Sequence, residues 1–295
     1  MHDKLGFIGL GVMGEPMCRN LARKHRGKVL AHDLRPEPLR RLSVDGVTTA
    51  RSIAALASEA DVIFLSLPGE PQVRAVGLEL ARAARAGQAI VDCSTVPVAL
   101  ARELAAAFTA RGAHFADAPV ARTRQAAIDG SLAFMVGADA FLFHRIEPLL
   151  RAMGSDIIHC GPPGAGMAVK LLNNMVLSVT VAALAEALAV AKASGVVEPK
   201  LLFDALAKGS ADSFALRNQG MKGLLPESHP ERAFPVAYML KDVGYALELA
   251  RDAGLDLQAG GTAKRLLEEA VALGLGDAYH TAIIEAVRKH TALLS

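Results

Sequence analysis

Lys4-Leu5-Gly6-Phe7-Ile8-Gly9-Leu10-Gly11-Val12-Met13-Gly14-Glu15-Pro16-Met17 opens the chain with a short apolar run, three glycines at G-x-G-x-x-G spacing and the start of a helical pattern. The glycines permit a tight turn and let a pyrophosphate come close to a helix N-terminus, where amides and the helix dipole favour negative charge. The spacing alone also occurs in ordinary glycine-rich turns, so its surroundings decide. A second apolar run, residues 28–33, ends about 20 residues further on at Asp33, an acid placed to accept hydrogen bonds from ribose hydroxyls. Gly9, Leu10, Gly11, Val12, Met13, Gly14 and Asp33 are therefore the expected dinucleotide contacts. The Asp33 carboxylate would repel a 2′-phosphate and favours NAD, whereas Arg35, two residues later, leaves NADP open.

Outward from this motif, apolar runs at 61–67, 89–93, 114–118, 132–136 and 156–160 alternate with helical patterns at 13–23, 71–86, 97–111 and 140–151. Such alternation predicts parallel strands joined by helical crossovers, a doubly wound α/β domain. The pattern breaks at Gly161-Pro162-Pro163-Gly164, which neither a helix nor a strand tolerates. Beyond it come helical patterns over 165–194, 199–208, 235–253, 262–273 and 278–291. The expected organisation is a dinucleotide domain over 1–163 and an all-helical domain over 164–295 that begins with one long helix.

At 295 residues, 52% hydrophobic and 21% charged, the chain is long enough for two domains and lies far from disordered or collagen-like compositions. Its 32 basic and 30 acidic residues leave a net charge of +2. No basic block exceeds Arg23-Lys24-His25-Arg26, so no nucleic-acid footprint is expected. Cys18, Cys93 and Cys160 are widely spaced and odd in number, as in reduced cytoplasmic proteins. The strand-like start at Leu5 leaves no room for a signal peptide, and the longest apolar stretch, 175–185, falls short of the ~20 residues of a membrane span. A soluble cytoplasmic protein with no membrane partner is the expectation.

Lys170, Asn173, Asn174 and Ser178 form a polar stripe on the long helix, at i, i+3, i+4 and i+8. One reading is a solvated face with a snorkelling lysine. The other is a ligand site at the domain junction, where a desolvated lysine donates or accepts a proton. Asp117-Ala118-Pro119-Val120-Ala121-Arg122-Thr123 follows a strand and should form a loop at the sheet edge. There the Arg122 guanidinium is suited to an anionic group, or is merely solvated. The nine histidines show no metal-ligand spacing, and no Ser/His/Asp order is legible, so no metal is expected.

With these segments in place, the chain resembles the β-hydroxyacid dehydrogenase family, 3-hydroxyisobutyrate dehydrogenase-like, over nearly its whole length. The matching segments are the 9–17 glycine motif, Ser66-Leu67-Pro68, Asp92-Cys93-Ser94-Thr95, Asp117-Ala118-Pro119-Val120, Gly164-Ala165-Gly166, Lys170-Leu171-Leu172-Asn173-Asn174 and Lys241-Asp242. The resemblance implies a Rossmann domain joined by a long helix to a helical domain that mediates homodimers or homotetramers. It implies hydride transfer between NAD(P) and a small 3-hydroxy acid or its semialdehyde. It further implies Lys170 as catalytic acid/base, Asn174 with Asn173 as substrate ligands, and Leu67, Pro68, Thr95 and Lys241 beside the dinucleotide.

Where the family usually has Ser-Gly-Gly, whose amides hold the substrate carboxylate, this chain has Ala121-Arg122-Thr123. That variant is similar to the loop of 3-sulfolactaldehyde reductases, which implies an alternative sulfonate substrate held by Arg122. Near the C-terminus, Asp277-Ala278-Tyr279-His280 also departs from the family pattern. A non-catalytic dinucleotide-binding scaffold is a further alternative, as is an imine-reducing relative; neither calls for a lysine with an asparagine four residues on.

Overall fold

Among the described residues, 3–231 and 233–292 of this computed structural model, nine strands form one sheet. They are β1 (Leu5–Ile8), β2 (Val29–His32), β3 (Thr48–Thr49), β4 (Val62–Leu65), β5 (Ala89–Asp92), β6 (His114–Asp117), β7 (Val120–Ala121), β8 (Leu132–Gly137) and β9 (Gly154–Gly161). The order is β3-β2-β1-β4-β5-β6-β8-β7, with β9 also on β8. Strands β1, β4 and β5 are buried at every position, as expected of parallel strands covered on both faces. The connecting helices are α1 (Gly14–Lys24), α2 (Pro36–Ser43), α3 (Ile53–Glu59), α4 (Glu70–Ala83), α5 (Val98–Thr109), α6 (Arg124–Asp129) and α7 (Ala140–Arg151).

The sheet is not wholly parallel, because β8 runs antiparallel to β6 and β7. The connection length explains this. Only Ala118 and Pro119 separate β6 from β7, and the six-residue α6 ends at Gly130 in a left-handed conformation (φ 67°) that turns the chain back. Where a full twelve-residue helix, α7, makes the connection, β9 returns parallel to β8. The short elements β3, β7, α2, α3 and α6 give too few residues for the periodicity that marks the longer ones.

The remaining helices are α8 (Ala165–Ser194), α9 (Pro199–Leu206), α10 (Val236–Asp252), α11 (Gln258–Ala272) and α12 (Ile283–Ala292), with a π-helical segment at Leu216–Leu224. By contacts the chain divides into Met1–Lys170 and Leu171–Ser295. The division falls inside α8 rather than at the Pro162-Pro163-Gly164 turn, because the first turn of α8 is bonded to the end of β6. The core of the second unit is built from Val181, Leu184 and Leu188 of α8 with Phe203, Met239, Val243, Leu267 and Ile284. By length and composition the whole of α8 is long and apolar enough to cross a membrane, so the limit expected from the 175–185 stretch does not hold for the full helix. Its Val181, Leu184, Ala185 and Leu188 lie in the core of the second unit, and the polar Asn174 and Ser178 are buried along it.

In the second unit His280 is 2% exposed and lies edge-on to Phe234 and Tyr279, with ring centroids 5.9 and 4.6 Å away. Burial lowers its pKa from 6.5 to about 4. The folded chain therefore stays neutral at His280 where the unfolded chain takes up a proton. This stability is present in full above pH 6.5 and is lost as pH falls towards 4, to the extent of about 3 kcal/mol. Urea unfolding of wild type and His280→Gln at pH 7.0 and about 4.5 checks this: the variant loses less stability on acidification, by about 2 kcal/mol or more.

Candidate active site

The C-terminal ends of β1, β2, β4 and β5 lie side by side in parallel register, which gathers Gly9, Asp33, Ser66 and Ser94 along one sheet edge. Gly9 has φ 91°, and a Cβ there would lie 2.3 Å from the Ser66 carbonyl oxygen and 2.9 Å from Leu67 Cδ2. A Cβ on Gly14 would lie 2.0 Å from the Gly9 carbonyl oxygen, so these two glycines are required by the fold itself. At Gly11, by contrast, a Cβ would meet nothing within 4 Å. That open space lies before α1, whose N-cap residue Met13 supplies no side-chain bond to the first-turn amides. The cradle fits a pyrophosphate, which would take those amides and the positive end of the helix dipole.

Asp33 Oδ2 accepts from the Leu10 amide at 2.6 Å, and Oδ1 accepts from the Arg35 amide at 2.8 Å. The Arg35 guanidinium also donates to Oδ1 and to the Leu10 carbonyl, so the acid fastens the glycine loop to the end of β2. Val12 is exposed and Met13 half-buried. The Leu67 amide donates to Ser94 Oγ at 2.9 Å, and the Ser94 amide donates to Asp92 Oδ1, so the turns after β4 and β5 are joined. Pro68 and Thr95 flank that junction, exposed and half-buried respectively.

Asp117 ends β6 fully buried. The Gly164 amide donates to its Oδ1 at 2.6 Å and the Met167 amide to its Oδ2 at 2.7 Å, which caps the first turn of α8. Burial raises its carboxyl to about pKa 6, opposed by those amide bonds. Lys170 follows Met167 by three residues and is 8% exposed. A solvated face is therefore not where this lysine lies.

Asn174, one turn further on, is 2% exposed. Its Nδ2 donates to Asp242 Oδ2 at 2.7 Å, and its Oδ1 accepts from Asn173 Nδ2 at 3.1 Å. The pair of bonds fixes which end of the Asn174 amide is the donor. Lys241 Nζ lies 3.4 Å from the other Asp242 oxygen and over the rings of Tyr238 and Tyr245. The second unit thus brings together Asn173, Asn174, Lys241 and Asp242. Ser178 Oγ is buried with no hydrogen-bond partner.

On the loop after β6, Ala121 pairs with Ala133 in the β7–β8 ladder and Thr123 caps α6 by accepting from the Ala126 amide. Between them Arg122 points its guanidinium at the Ser131 carbonyl, Ser155 Oγ and Asp156. The expected anion ligand therefore already has an acidic partner on β9.

Asp117, Asp242 and Asp156 carry much of this geometry without standing out as site residues in the sequence. For Asp242 a signal exists, since it lies on the otherwise apolar Met239, Val243, Ala246 and Ala250 face of α10, where an unpaired acid is costly. Asp156 has none, being one exposed acid among 30.

Comparison with known proteins follows the same division. A family described as the NAD binding domain of 6-phosphogluconate dehydrogenase matches residues 4–161, and one described as the NAD-binding domain of NADP-dependent 3-hydroxyisobutyrate dehydrogenase matches residues 164–287. The chain is 34% identical over 286 residues to 2-(hydroxymethyl)glutarate dehydrogenase of Eubacterium barkeri, covering 96% of this chain and 94% of that one. It is 32% identical over 288 residues to 2-hydroxy-3-oxopropionate reductase of Escherichia coli, covering 96% and 97%. Among solved structures, 3-hydroxyisobutyrate dehydrogenase of Mycobacterium tuberculosis with L-serine superposes with a TM-score of 0.88 at 33% identity, covering 98% of this chain and 100% of that one.

The glycine cradle gives a direct check. Gly11→Ala should unfold within about 0.5 kcal/mol of wild type, since its methyl group meets open space, yet bind NADH at least about tenfold more weakly. Gly14→Ala should lose stability outright. Denaturant unfolding and NADH fluorescence titration separate the two effects.

Proposed function

The chain belongs to the β-hydroxyacid dehydrogenase family, 3-hydroxyisobutyrate dehydrogenase-like, and on that premise we propose that it interconverts a small 3-hydroxy acid and its semialdehyde with Lys170 as the acid/base. It is an NAD(P)-dependent oxidoreductase acting on CH–OH groups. The observation that carries the reading is one face of α8, on which a buried lysine is followed one turn later by a buried asparagine oriented by Asp242.

A bound nicotinamide supplies the hydride in reduction and takes it in oxidation. Lys170 gives a proton to the carbonyl oxygen in reduction and removes the hydroxyl proton in oxidation. Asn174 holds that oxygen through its remaining Nδ2 proton, the other being committed to Asp242. Asn173 assists at the substrate. Burial keeps water from these groups, which strengthens their electrostatic effect and fixes the reacting geometry. Leu67, Pro68, Thr95 and Lys241 contact the dinucleotide, and Asp33 selects NAD over NADP by its charge. Domains over 1–163 and 164–295, supported by the family matches at 4–161 and 164–287 although the contact division falls within α8, a homodimer or homotetramer and a cytoplasmic location complete the proposal. The sulfonate alternative requires Arg122 to leave Asp156, and a scaffold has no use for the buried Lys170 and Asn174.

An NADH and NADPH oxidation screen against methylmalonate, tartronate and succinic semialdehydes and sulfolactaldehyde tests the activity; failure on all four overturns it. Lys170→Met should lower kcat by ~10²–10⁴-fold while NADH affinity stays near wild type. Near-normal turnover would show the lysine to be structural. Asp33→Ala should narrow the preference for NADH over NADPH in kcat/KM, and a wild type that favours NADPH would overturn the role given to Asp33.

A further inference from the structure

Arg122 has φ 86°, the left-handed region that glycine occupies freely and an arginine rarely does. Among the described residues only Glu227 shares this state outside glycine. The chain on either side is pinned, by the Ala121–Ala133 pair before it and by the Thr123 cap after it, so the reversal falls on this one residue. Such a backbone state persists only where its surroundings hold it. Here the side chain does so: Nη1 donates to the Ser131 carbonyl at 2.5 Å and to Ser155 Oγ at 2.7 Å, and Nη2 donates to Asp156 Oδ2 at 2.5 Å. Ser155 Oγ donates in turn to the same Asp156 oxygen at 2.7 Å.

We propose that Arg122 is a positioning residue, whose anchorage on Asp156, Ser155 and the Ser131 carbonyl holds the 121–123 loop in a glycine-like turn and leaves the substrate's anionic group to the loop backbone. This rests on the reading that the loop faces the substrate. Two physical points separate the clamp from direct anion binding. First, the guanidinium's charge is already matched by a carboxylate that its hydrogen bonds from Ser155 and Arg122 hold below the usual aspartate range, so Asp156 is ionised near neutral pH and a substrate anion would have to displace it. Second, the contacts run from the loop to Ser131, just before β8, and to Ser155 and Asp156 on β9, 33 and 34 residues away in sequence, and so fasten the loop to a remote strand as a tether does. Side-chain charge has then not replaced glycine at this position; it supports glycine's backbone conformation by another route.

The two roles predict opposite signs. With whichever semialdehyde of the screen the wild type reduces, Arg122→Gly should keep KM within about threefold of wild type, because glycine adopts this φ without a tether. Arg122→Ala and Asp156→Ala should each raise KM by about tenfold with NADH affinity unchanged. If Arg122 binds the anion itself, Arg122→Gly is as damaged as Arg122→Ala, and Asp156→Ala lowers KM by releasing the guanidinium; either result overturns the clamp. Amide hydrogen exchange across residues 118–131 reads the tether without any substrate. Faster exchange in Asp156→Ala is expected, and unchanged exchange overturns the proposal even if the enzyme turns over none of the aldehydes, an outcome that would count against the proposed activity alone.

Discussion

The carboxylate of Asp117, wholly inside the protein, takes the amides of Gly164 and Met167 at 2.6 and 2.7 Å, and much of the first unit is arranged around this contact. It makes the end of β6 the starting point of α8 and so sets where the helix begins and which face Lys170 occupies one turn later. Room for it comes from glycine. A Cβ on Gly137 would lie 2.4 Å from its Oδ1, and one on Gly166 would lie 2.9 Å from its Oδ2 and 2.2 Å from the Met135 carbonyl oxygen. The Asp-Ala-Pro-Val and Gly-Ala-Gly segments are thus two halves of one contact. The cost is that of a buried charge: burial raises the carboxyl pKa to about 6, so the stability this group contributes at acid pH declines as pH rises from about 4 to 6.

The same economy of buried polar groups governs α8 beyond that turn. The helix is apolar enough to suit a membrane, yet Lys170, Asn174 and Ser178 lie buried on it. An unsatisfied amide in such a place costs about 1–3 kcal/mol, which explains why Asn174 is tied to Asn173 on one side and Asp242 on the other. Satisfying the amide also orients it, so one arrangement serves stability and chemistry together. Lys241, packed over two tyrosine rings beside Asp242, keeps that acid from standing as an isolated buried charge.

The glycine loop and the Arg122 loop solve similar problems by different means. At Gly9 and Gly14 the backbone is so close to its neighbours that no side chain fits. At Arg122 there is room for a side chain, and the side chain becomes the support. Proximity in the first case and tethering in the second both go with a left-handed backbone, at Gly9 and at Arg122.

The doubly wound α/β unit, the long helix over 165–194 with its helical successors, and the lysine-asparagine stripe are legible in the order of residues alone. Each is recorded in local periodicity or in residue spacing along one element, which survive without knowledge of the rest of the chain. The two-residue strands β3 and β7 and the short helices α3 and α6 give too few residues to record a period, and the antiparallel turn at β8 depends on a helix too short to cross over. The partners of Asp117, Asn174 and Arg122 lie 47, 68 and 34 residues away in sequence, and the packing of those distant segments sets them. Arg122 shows the limit most plainly: a guanidinium on a loop reads as a ligand for any anion, and whether that anion is a substrate or Asp156 is fixed by which strand packs beside it.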